Sequence, residues 1–185
     1  LGLKESDTCE LFFEDVKVPK GNIIGQEGRG FIYMMQELPR ERLTIAIQAI
    51  GSCVGAIDET IEYVSERHAF KQPIAGFQNT QFKLAELATQ TQVYQTYIDR
   101  CTELLCDHKL SAESASIAKY GATELEGKVA DECLQLFGGY GYMWEYGIAR
   151  RYANARVSRI YGGTNEIMKL MIARRLLSKH TAATK

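Results

Sequence analysis

ERLTIAIQAIGSCVGAIDETIEYVSER, residues 41–67, decides the fold. Its apolar residues Leu43, Ile47, Ile50, Val54, Ile57, Ile61 and Val64 recur at spacings of three and four, the period that lines one face of an α-helix. The run is far longer than a strand and predicts a long helix burying one stripe. Upstream, Phe31 to Leu38 is a short apolar stretch, and Pro39 stands where it opens the first turn of that helix, a position that needs no N–H. Downstream, Gly76 to Asn79 turns the chain. Phe82, Ala85, Leu87, Val93, Tyr97, Ile98, Cys101 and Leu105 then mark a second long helix, and His108 to Leu110 links it to a third. Ser111 is placed to cap that third helix, which runs through Ile117, Tyr120, Leu125, Val129, Cys133 and Leu136 and stops at Gly138-Gly139. Two shorter helices, about Ile148 to Val157 and Thr164 to Leu177, are split by Gly162-Gly163, and Lys179 to Lys185 reads as a frayed tail.

Long helices joined by short loops predict an all-α, up-and-down antiparallel bundle of the four-helix type. The exception is the start. Cys9 to Val18, rich in Phe and Val and ended by Pro19, reads as a strand, and the glycine-rich Gly21 to Gly30 as a connector. One or two strands are not stable alone. The N-terminal β segment is therefore expected to belong to a sheet whose remainder is not in this chain, which opens on Leu1 and reads as a fragment of a longer protein.

Composition limits the function. With 185 residues, 45% of them hydrophobic, one sizeable core is expected. Lys plus Arg (22) nearly balance Asp plus Glu (23), so there is no basic field to hold nucleic acid, and no apolar run reaches a membrane span. The five cysteines are odd in number and lack zinc-type spacing, which predicts reduced thiols, no metal site and a soluble intracellular protein. His68, His108 and His180 show no ligand spacing. Met34, Met35, Met168 and Met171 are expected in the core, and Tyr140, Tyr142, Trp144 and Tyr146 packed between helices.

The chemistry-bearing signal is the pair of glycine turns. In Tyr161-Gly162-Gly163-Thr164-Asn165-Glu166 the glycines permit positive φ and close ligand approach, and Thr164 can cap the following helix, whose free N–H groups attract an anionic or electron-rich group. The second pair, Gly138-Gly139, follows Gln135.

Taken in order, Glu37-Leu38-Pro39-Arg40-Glu41-Arg42-Leu43, Glu66-Arg67-His68-Ala69-Phe70, Gln78, Gln135 to Gly139 and Tyr161 to Glu166 resemble the C-terminal part of an acyl-CoA dehydrogenase, most of all the long-chain type. The resemblance implies that residues 1–28 are the last strands and linker of a middle β domain. Residues 29–185 are then the C-terminal helical domain of a flavoenzyme. The implied reaction is FAD-dependent α,β-dehydrogenation of an acyl-CoA thioester to a trans-2-enoyl-CoA in fatty-acid β-oxidation or related catabolism. Much of the family carries its base where this chain has Gly162, whereas the long-chain and isovaleryl types carry theirs in a Glu-Arg-Leu context matched here by Glu41. Read without the resemblance, Glu41 is an acidic residue favoured by the dipole of a helix's first turn.

By the same resemblance Pro39, Arg40, Arg42, Gly162 and Gly163 line the thioester end of the pocket. Arg67, Phe70, Gln78, Gln135, Gly138 and Gly139 reach the FAD of a neighbouring subunit, and Thr164, Asn165 and Glu166 contact FAD near the last helix. Homodimers or homotetramers, an electron-transfer flavoprotein as acceptor, and a mitochondrial matrix or bacterial cytoplasmic location are implied with them. An acyl-CoA oxidase, and an assembly domain inactive when isolated, are the competing readings.

Overall fold

A computed structural model describes the backbone of residues 1–183 and the side chains of residues 1–178. Five helices follow one another: α1 (Gly30–Glu66), α2 (Gln78–Cys106), α3 (Ala112–Phe137), α4 (Gly147–Ser158) and α5 (Asn165–Ala183). A two-stranded antiparallel hairpin, β1 (His68–Ala69) with β2 (Gln72–Pro73), joins α1 to α2. The connections are short, which sets sequential helices antiparallel. α3 is central and packs against all four other helices, most extensively against α1. None of the described helices is long and apolar enough to cross a membrane.

The α1–α3 seam explains the closeness of that packing. Leu43, Ile50, Ile57 and Val64 of α1 are buried at intervals of seven, and small residues lie between them: Ala46, Ala49, Cys53 and Ala56. They meet Ala118 and Ala122 of α3 in the same core cluster. Small side chains let two backbones approach closely, so burial here comes from many short contacts. Ile47, Val54 and Ile61, which the sequence grouped with the stripe, lie one position round the helix and stay exposed. Cys53, Cys101 and Cys133 are buried in the core as free thiols. Buried Thr60, Thr91 and Thr123 return their hydroxyls to the carbonyls of Ala56, Leu87 and Lys119 four residues back, so none of these three hydroxyls is stranded.

Several expectations change. Pro39 does not open a helix: α1 begins at Gly30 and runs straight through it. The proline removes one ladder hydrogen bond, a loss that the long buried stripe after it outweighs. Residues 9–18 form no strand, because no neighbour in this chain supplies a ladder, and Leu11, Phe12, Phe13, Val16 and Val18 are exposed. Met34 and Met35 are exposed while Met168 is fully buried. Of the aromatic cluster, Tyr146 packs edge-on against Tyr63 and Phe137, but Tyr142 and Trp144 lie at the surface, the latter under the Lys4 ammonium. α5 continues to Ala183, past the expected fraying point; residues 184–185 lie outside the described residues.

The ends of α3 behave as its sequence directs. The Ser111 hydroxyl accepts the Ser114 N–H at 3.0 Å, and Gly138 terminates the helix at φ 60°. Replacing Ser111 by Ala is expected to lower stability by about 1 kcal/mol and Ser111→Asp to restore most of it, as read from urea unfolding midpoints.

Candidate active site

Residues four or three apart on a helix share a face, and on α1 that rule gathers Glu37, Glu41, Thr44, Ile45 and Gln48. With Arg40, Tyr161 and Gly162 they line a groove of about 490 Å³. Glu41 is exposed in it. Arg40 sits at the rim, paired with Glu37 at 2.9 Å. Glu41 lies three turns inside α1, so the favourable dipole of a first turn does not account for it. Gly162 lines the same groove at φ 63°, and a Cβ there would strike the Ile45 side chain. Gly163 follows at φ 94°. The turn requires glycine twice over.

Arg42, next to Glu41, points the other way. It is 5% exposed, its Nε donates to the Gly162 carbonyl at 3.4 Å, and its Nη1 approaches the Met171 sulfur at 3.3 Å. Burial lowers its pKa, opposed by the Glu41 charge. A second buried cation completes the grip. Lys119 of α3, fully inaccessible, donates to the Gly163 carbonyl at 2.9 Å and to Asn165 Oδ1 at 2.8 Å. Burial, reinforced by the Arg42 charge, pulls the ammonium down to about 8. The Asn165 amide in turn donates to Thr123 Oγ1 at 3.0 Å and Glu124 Oε1 at 2.9 Å. Asn165 is therefore spent inside the bundle. Thr164 takes the capping role, accepting the Ile167 N–H at 3.4 Å, and Glu166 is exposed in the first turn of α5.

Sharing Ile45, Gln48 and Tyr161 with the groove, a smaller chamber of about 300 Å³ continues along α1 past Ser52 to Glu126. Glu126 is 7% exposed, and its Oε2 has no hydrogen-bond partner among the described residues. Burial raises its carboxyl pKa, opposed by the Ser158 and Ser52 hydroxyls and the Arg159 charge.

The remaining predicted residues lie at the far end of α1, roughly 40 Å from Glu41 at 1.5 Å per residue. Arg67 ends α1 and places its guanidinium 5.5 Å from the Tyr140 ring centre. Gln135, Gly138 and Gly139 are exposed nearby at the end of α3, and a Cβ on Gly139 would meet nothing within 4 Å. Phe70 is exposed on the hairpin turn at φ 50°, edge-on to Phe77, and Gln78 is exposed at the start of α2. Pro39 is half-buried just beyond the groove wall. Lys119 and Glu126 were not singled out in the sequence. The available signal was a charge on the α3 face that carries Ala115, Ala118, Ala122 and Val129.

Fold and groove together define a class: a helical bundle domain with a groove between one long helix and a glycine turn. The chain belongs to the acyl-CoA dehydrogenase family, whose C-terminal domain profile matches residues 28–177. Over 178 residues it is 53% identical to the mitochondrial long-chain specific acyl-CoA dehydrogenase of Mus musculus, covering 96% of this chain and 41% of that protein. Identity to the mitochondrial short-chain specific enzyme of Rattus norvegicus is 37%, over 97% of this chain and 44% of that protein. Among solved structures, the acyl-CoA dehydrogenase of Geobacillus kaustophilus superposes with a TM-score of 0.85 at 47% identity, covering 89% of this chain and 43% of that one. Butyryl-CoA dehydrogenase of Megasphaera elsdenii also superposes at 0.85, with 36% identity over 89% of this chain and 43% of its own. The chain thus spans about two-fifths of the length of the relatives it matches.

A carboxyl with a raised folded pKa binds more protons folded than unfolded between its ordinary and raised values, so its contribution to stability falls as pH rises through that window. Glu126→Gln is expected to remove that slope and to stabilise the protein at neutral pH. Urea titrations of both proteins from acid to neutral pH provide the check, and parallel slopes would contradict it.

Proposed function

We propose that this domain works within an FAD-dependent enzyme that oxidises acyl-CoA thioesters to trans-2-enoyl-CoA, with Glu41 as the base that removes the α-proton. The observation that carries the proposal is that Glu41 and Gly162 line one groove. The family position that elsewhere supplies a carboxylate holds a residue with no side chain, and a carboxylate from α1 lines the same groove. A thioester α-proton is weakly acidic, so abstraction needs a carboxylate within reach and donors on the carbonyl oxygen. Pro39, Arg40, Gly162 and Gly163 border the thioester end. Arg42 acts from behind, through the Gly162 carbonyl, and makes no direct contact with the groove.

The residues at the other end of α1 fit a flavin dinucleotide. Arg67 offers a planar fork of donors suited to a diphosphate, and the open space at Gly139 lets a ligand meet backbone. Arg67, Phe70, Gln78, Gln135, Gly138 and Gly139 would hold FAD at that end, and Thr164 and Glu166 at the other. When bound, FAD supplies the acceptor for the β-hydride. Since Arg67 lies about 40 Å from Glu41 along α1, the two ends would serve different cofactor molecules, which favours a homodimer or homotetramer with sites completed by a neighbour. The exposed Ile47, Val54, Ile61, Phe82 and Val93 support such association. An electron-transfer flavoprotein is the proposed electron acceptor and a long acyl chain the proposed substrate class.

Glu41→Gln in the full-length enzyme is expected to cut enoyl-CoA formation by about two orders of magnitude or more with FAD content unchanged, assayed with an artificial electron acceptor. Undiminished turnover would place the base elsewhere. The chain by itself leaves Glu41 open to solvent, which favours a second reading for the isolated domain, assembly without catalysis. A flavin absorbance spectrum of the purified chain after gel filtration is expected to be blank.

A further inference from the structure

The mechanism above leaves two buried charged residues unused, Glu126 and Lys119, and only Lys119 is bonded to the glycine turn. Lys119 carries its ammonium into the bundle, and both of its hydrogen-bond partners, the Gly163 carbonyl and Asn165 Oδ1, are neutral. Burying an ammonium is costly unless its surroundings compensate for lost hydration. A methionine would fill the same space without that cost, so what the charge contributes is the position of the turn.

That position has a directional consequence. In a trans peptide the carbonyl and the next N–H point to opposite sides. Arg42 draws the Gly162 carbonyl inward and Lys119 draws the Gly163 carbonyl inward. With the Gly163 carbonyl held inward, the Thr164 N–H is turned to the opposite side, and among the described residues it donates to no backbone carbonyl, whereas the Gly163 N–H closes the hydrogen-bonded turn over Gly162. Gly162 lines the same groove as Glu41. Both glycines have positive φ, a region that also admits other turn conformations for glycine, so the backbone alone does not choose this one.

We propose that Lys119 is a positioning residue, whose ammonium holds the Gly163 carbonyl inward and so keeps the Thr164 amide aimed outward and the Gly162–Thr164 turn fixed beside the groove of Glu41. It rests on the reading of Glu41 as base. Lys119 never touches the ligand; it acts through the turn. The charged groups around it are Arg42 from α1, Glu124 from α3 and Glu166 from α5. Arg42 and burial oppose its charge, Glu124 and Glu166 favour it, and the outcome is an ammonium that titrates near 8. As pH rises through that value the amine keeps fewer and weaker donors for two acceptors, and the turn loosens.

The test uses the full-length enzyme with bound FAD and an artificial electron acceptor, comparing Lys119→Met and Lys119→Arg with the wild type across pH. The wild type is expected to lose kcat/KM above an inflection near 8. Lys119→Met is expected to retain FAD, to lose about tenfold or more in kcat, and to show no inflection there. Lys119→Arg, which keeps a cation through the range, is expected to retain more activity and also to lack the inflection. Lys119→Met activity within about twofold of wild type, or an inflection unchanged in both variants, would overturn the assignment. Should Lys119→Met fail to fold, the Lys119→Arg profile decides alone. Failure of the base reading is separately visible, because it appears as undiminished turnover in Glu41→Gln while the Lys119 profiles are read independently.

Discussion

Two buried cations holding the two carbonyls of a glycine turn form the constraint on which the rest of this domain depends. Arg42 comes from α1, Lys119 from α3, and the turn itself leads into α5 through Asn165, which is bonded back to Thr123 and Glu124 of α3. Three helices are therefore fixed relative to one another by a set of polar contacts that leave no room for sliding. Such an arrangement is expensive in desolvation and specific in geometry, because each donor must find its acceptor. The apolar seam between α1 and α3 supplies the stability, while the polar knot sets the register at the end where the groove opens. Packing and site geometry are thus properties of the same few residues.

The helices were legible because their apolar spacing is regular and their connections are brief. Ser111 and Gly138 marked their boundaries by ordinary capping chemistry. Pro39 misled, since a proline is a better start than interior, and only the depth of the stripe beyond it explains why α1 continues through. Residues 9–18 carried strand composition without a strand, because ladder formation depends on a partner that composition does not reveal. The exposed Ile47, Val54 and Ile61 show the limit of three-and-four spacing, which marks a stripe wider than the one actually covered.

Within the candidate site, the positive φ of Gly162 and Gly163 and the place of Glu41 on a long helix follow from the sequence. What the polar side chains do does not. Arg42, expected at the thioester end of the pocket, is buried and donates to the Gly162 carbonyl. Asn165 sits inside a ligand-like motif but spends its amide within the bundle, while Thr164 beside it does the capping. Lys119 and Glu126 occupy a stripe of alanines, where a charge is easily taken for a surface position one residue away. In each case the missing information is the direction of a side chain across a helix interface, which depends on the partner helix rather than on its own sequence.

The three cysteines sealed in the core carry a further meaning. Burial pushes the Cys53 thiol up to about 12, and raises Cys101 and Cys133 in the same direction. A thiol is a nucleophile only as thiolate, so these sulfurs are chemically silent while the helices stay together. Cys9 and Cys106 remain open to reagent throughout. The chain therefore carries its own clock: oxidants and alkylating agents meet the inner sulfurs only as often as the bundle breathes, and the pace of their modification records how firmly the helices hold.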